Sequence, residues 1–70
     1  MRTTQDEFHA MRGHVADGVA IDMRNGDVLT LRAVMLGWQL YDQDGRPFGL
    51  ATNSAHVISC LVYSHPSEEV

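Results

Sequence analysis

Apolar residues fall into two periods along the chain, and the change comes near residue 18. Before it, Phe8, Met11 and Val15 stand at i, i+3 and i+7, the spacing of one narrow helical stripe. Thr4-Gln5-Asp6-Glu7 has the form of a capping box, with a Thr N-cap and a Glu three residues on. Asp6 and Glu7 also set negative charge at the positive end of the helix dipole. Gly13 weakens the last turn and Asp17-Gly18 ends the segment, so a helix is predicted over 4–15. After it, Val19, Ile21 and Met23 alternate with Ala20, Asp22 and Arg24, which is the period-two pattern of a half-buried strand over 18–24. Asn25-Gly26 is a hairpin signal, because both residues tolerate positive φ. A second strand over 27–36 is long enough to bend and serve two parts of a barrel, and Gly37 breaks it. Residues 38–42 alternate again, Gln43-Asp44-Gly45-Arg46-Pro47 is a turn by composition, and 47–52 is a fourth short strand. Residues 57–63 are predicted as a fifth strand, since Val57, Ile58 and Val62 are β-branched. Asn53 or Ser54 could instead cap a short C-terminal helix there. Residues 64–70 form a polar tail. The predicted class is mainly β, a single domain over 1–70.

Composition narrows what such a domain can do. A chain of 70 residues buries a smaller share of its surface than a larger domain, and such domains often need a staple or a partner. Cys60 is the sole cysteine, so it cannot form an internal disulfide, and its apolar surroundings predict a buried thiol. Self-association is then the expected source of added stability. No apolar stretch is long enough to cross a bilayer, and residues 1–6 show no apolar leader, which predicts a cytoplasmic protein without membrane contact. Nine acidic and five basic residues give a formal charge of −4, and there is no lysine. That balance disfavours non-specific nucleic-acid binding, which depends on cations neutralising phosphates.

Catalytic and metal signals are weak. His9 and His14 are five apart, off the i, i+4 spacing of ligands on one helical face, and His56 and His65 lie far along the chain. Asp42-Gln43-Asp44-Gly45 lacks the closing Glu of a calcium loop. Ser54, Ser59 and His56 sit in nothing like a nucleophile elbow. No enzyme, metal or cofactor is expected.

The order of elements resembles the Sm/Lsm superfamily, and the sequence is most similar to its bacterial branch, the Hfq RNA chaperones. The likeness runs over about residues 5–66. Gln5-Asp6 and Phe8 resemble the start of that family's helix, and Val19-x-Ile21-x-Met23 before Asn25-Gly26 resembles its first strand and hairpin. His56-Val57-Ile58-Ser59 resembles its second Sm motif, with about two extra residues falling in the 42–46 turn. The resemblance implies a strongly bent, five-stranded Sm-like (SH3-like) barrel. It further implies a homo-oligomeric ring, by expectation a hexamer, closed by edge pairing of strands four and five. The pore face would bind short single-stranded RNA in post-transcriptional regulation, with Gln5, Trp38, Gln39 and His56 as the contacts. The departures are several: Ser54-Ala55 replaces the family's Tyr-Lys pair, Gln39 stands near its stacking aromatic, and its arginine cluster is reduced to Arg12. A second Sm-like group, acidic inhibitors of the termination factor Rho, fits the charge better. Tyr63-Ser64-His65-Pro66 superficially resembles a late motif of that group, although its Cys-Asp-Tyr-rich helix start is missing. That alternative predicts a protein-binding inhibitor of a nucleic-acid enzyme, using Asp6, Glu7, Asp22 and Asp27 for charge complementarity.

Overall fold

A computed structural model describes residues 1–11 and 15–63. The elements are β1 (Arg2–Thr4), α1 (Gln5–Ala10), β2 (Val19–Asp22), β3 (Val28–Val34), β4 (Gly37–Tyr41), β5 (Pro47–Thr52) and α2 (Ala55–Tyr63). The fold is mainly β, as predicted, with a five-stranded sheet in the order β1-β2-β3-β4-β5. β1 runs parallel to β2, with Thr3 opposite Ile21. The other pairings are antiparallel, so β2 to β5 form a meander.

The predicted barrel is not formed. The sheet is open, with β1 and β5 as its two edges. The predicted fifth strand, 57–63, is instead helix α2. The nearly continuous apolar run Val57-Ile58-Ser59-Cys60-Leu61-Val62 has no clear period of two, and such a run suits either element. Ser54 tips the balance: its Oγ accepts from the Val57 amide at 3.2 Å and its carbonyl from the Ile58 amide at 3.2 Å, starting the first turn. Ile58 and Val62, four apart, then share the buried face.

The N-terminal helix is shorter than predicted and is preceded by a strand that the pattern did not show. Its capping box is present, with the Glu7 amide donating to Thr4 Oγ1 at 3.1 Å and the Thr4 amide to Glu7 Oε1 at 3.2 Å. α1 ends at Ala10 with Met11 as its C-cap, so Val15 lies beyond it. The predicted last turn at Gly13, together with Arg12 and His14, lies outside the described residues, as do the tail and His65.

Both helices cover one face of the sheet. The core joins Phe8 of α1, Ile58 and Val62 of α2, and Val19, Ile21, Leu29, Leu31 and Leu40 of the strands. Met23 completes it, and Trp38 and Phe48 pack against its rim. The alternation predicted for Val19, Ile21 and Met23 is therefore the inward face of β2. Full burial of each such side chain is worth about 1.5–3 kcal/mol. α1 and α2 also pack on one another.

The opposite face of the sheet is uncovered, as an antiparallel sheet permits. Thr30 and Arg32 alternate with buried Leu29 and Leu31 and point to that side. β3 stops at Val34 rather than at 36, because Met35-Leu36 form the hairpin tip. Gly37 then takes φ +123°, and a Cβ there would stand 2.5 Å from the Thr52 carbonyl oxygen.

Candidate functional site

The four residues predicted as RNA contacts do not converge. Gln5 is buried between the N- and C-terminal elements. Its Nε2 donates to the Val62 carbonyl at 2.9 Å and its Oε1 accepts from the Arg24 amide at 2.9 Å. His56 is exposed on the first turn of α2, about 9 Å along the helix axis from Val62. Trp38 and Gln39 are neighbours in one strand and so point to opposite faces. Trp38 leans on the core, while Gln39 faces outward and donates to the Gly49 carbonyl at 2.9 Å. That bond braces a bulge where β5 is two residues longer than β4 between the Trp38–Thr52 and Leu40–Phe48 pairs. Gly49, at φ +77° in this bulge, has Leu61 directly above the place a Cβ would occupy.

Cys60 is exposed, not buried as predicted. The helix turns it outward, and its Sγ lies 3.6 Å from His56 Nε2, one turn earlier. Ser59 takes the buried place and meets His9 Nδ1 at 3.3 Å. His9 in turn stacks on Tyr63, with ring centroids 4.2 Å apart. Among the described residues no group of three His, Cys, Asp or Glu could hold a metal ion. No helix there is long and apolar enough to cross a membrane.

The uncovered sheet face carries a different constellation. A groove of about 460 Å³ is lined by Thr30, Arg32, Tyr41, Asp42 and Gln43, among others. The hairpin register explains the grouping. Thr30 lies opposite Tyr41 and Arg32 opposite Gln39, so Arg32 and Tyr41 are diagonal neighbours on one face, within reach of long side chains. The turn after β4 fixes Asp42: its Oδ1 accepts from the amides of Asp44 and Arg46, each at 2.9 Å.

Charge on this face is distinctive because most other charges are engaged. Arg2 binds Asp22 through two hydrogen bonds, of 2.9 and 2.6 Å, and that contact holds the guanidinium above its ordinary pKa. Arg24 binds Asp6 at 2.7 Å. Glu7 serves the capping box, Asp17 accepts from the Ala33 amide at 2.8 Å, and Asp27 accepts from Asn25 and Gln43. Among the described residues, Arg32 and Arg46 form no ion pair. Arg32 lines the groove and Arg46 follows directly on Gly45, which also lines it.

Sequence reasoning missed Arg32, Tyr41 and Asp42. The available signal was Gly37, the breaker of a continuous β-prone run, with Met35-Leu36 just before it as the place for a turn. Placing a two-residue turn there puts Arg32 opposite Gln39 and Thr30 opposite Tyr41. No family model matches the chain, and no curated protein or solved structure matches it either.

Proposed function

We propose that the protein is a small RNA-binding module that holds a short single-stranded segment on its uncovered sheet face. The observation that carries this reading is an open groove in which the Arg32 guanidinium, without an ion pair among the described residues, is a diagonal neighbour of Tyr41. A part-exposed aromatic such as Tyr41 on a sheet face offers a stacking platform to a base, and a neighbouring arginine offers a phosphate contact. The resemblance to Sm-like RNA chaperones supports the same ligand class. The contact set moves from Gln5, Trp38, Gln39 and His56 to Arg32 and Tyr41. Since residues 57–63 supply no strand, ring assembly would have to join the β1 and β5 edges instead. The acidic, protein-binding alternative is less well supported, because the carboxylates of Asp6, Glu7, Asp22 and Asp27 all have partners within the chain.

With a single arginine lining the groove among the described residues and a net charge of −4, affinity should be modest and dependent on salt. Fluorescence anisotropy with labelled single-stranded oligoribonucleotides at low ionic strength tests the reading. Arg32→Gln should weaken binding and reduce the salt slope by about one. Wild-type protein that leaves every oligonucleotide unbound would rule the function out.

A further inference from the structure

The groove holds one more group whose chemistry selects among bases. Asp42 uses Oδ1 for its own turn, accepting two backbone amides, and among the described residues Oδ2 accepts no hydrogen bond. Gln43, its neighbour, is committed elsewhere: Nε2 donates to Asp27 at 3.2 Å and Oε1 accepts from the Val28 amide at 3.4 Å. The Thr30 and Tyr41 hydroxyls can donate or accept, so they do not discriminate by themselves. Asp42 Oδ2 is thus the groove's open acceptor that cannot donate.

Resting on the RNA-binding reading above, we infer that this groove prefers a guanine base, with Asp42 as its specificity-determining residue. A carboxylate oxygen presents lone pairs only. Guanine offers it two adjacent donors, N1–H and the 2-amino group, on its Watson–Crick edge. Uracil offers one N–H flanked by two carbonyl oxygens that a carboxylate repels. Adenine and cytosine each offer one amino group beside a ring acceptor. The groove pairs a cation, Arg32, with an anion, Asp42, that its own turn fixes. A guanosine nucleotide matches both, with its phosphate toward the arginine and its donor edge toward the aspartate, while the ring stacks on Tyr41. A carboxylate in a phosphate-binding groove otherwise only weakens binding, and the gain in selectivity offsets that cost.

The test is anisotropy competition with uridine pentaribonucleotides whose central base is guanine, adenine, cytosine, uracil or hypoxanthine. The guanine oligomer should bind about tenfold tighter than the uracil one, and hypoxanthine, lacking the 2-amino group, should fall between them. Asp42→Asn keeps the Oδ1 acceptor that the turn needs and replaces the open oxygen with a donor amide, so it should abolish the guanine-to-uracil ratio. Loss of negative charge raises binding of all five together, which is why the ratio is the readout. A wild-type ratio under about twofold, or a ratio unchanged in the variant, overturns the inference. The hypoxanthine comparison needs no variant and stands if Asp42→Asn folds poorly. Equal binding of all five, weakened by Arg32→Gln, would defeat the base preference and leave the site reading intact. Absence of binding to any of them would defeat both.

Discussion

At the scale of single residues, Gln5 does more than any sequence pattern announced. One buried amide ties the end of α2 to the loop after β2, through bonds to Val62 and Arg24. Its polar character and its place in the Sm-like resemblance both suggested an RNA contact, yet burial puts it out of reach of a ligand. Gln5→Ala would remove the bonds to the Val62 carbonyl and the Arg24 amide. The expected loss is about 1–3 kcal/mol of stability, read from urea denaturation. Residues whose roles are local were easier to read. Thr4 and Glu7 form their capping box because both partners lie within one helical turn, and the alternation at Val19, Ile21 and Met23 reports burial directly. Gln5 bonds across 57 residues, and no local pattern carries that information.

At the scale of elements, the lesson lies in 55–63. Six of the seven residues from Val57 to Tyr63 are apolar or aromatic, so the segment has little periodicity to read. β-branching argued for a strand, and the polar residue just before the run decided for a helix. Ser54→Ala removes the side-chain acceptor for the Val57 amide. It should cost about 1 kcal/mol, seen as a lower urea midpoint with an unchanged m-value. The same reversal of element type turned Cys60 outward and put His56-Val57-Ile58-Ser59, expected from resemblance to lead into a strand, at a helix start. The β3–β4 hairpin was legible as two strands but not as a register, because apolar Met35-Leu36 is an unusual turn. The candidate site depends on that register, and so it was hidden while most of the sheet was not.

At the scale of the whole molecule, the two faces of the sheet have separate duties. One is sealed by α1 and α2 over a continuous apolar core, and the other is left with polar, aromatic and charged groups. Ion pairs at Arg2 and Arg24 sit away from the groove residues, which leaves Arg32 as the groove's own cation. The division also shapes how the chain reaches its fold. The meander from β2 to β5 is built of neighbours in sequence and needs only short loops to close. Neither end of the chain belongs to it. β1 and α1 come from one side and α2 from the other, and the Gln5 bond to Val62 can form only after both have arrived. Contacts of that separation close late, at the highest entropic cost. Gln5→Ala should therefore leave the refolding rate nearly unchanged and speed unfolding by about tenfold in stopped-flow chevrons. The amide that joins the two ends of the chain acts as a latch on the folded state's lifetime, with little influence on how fast that state is reached.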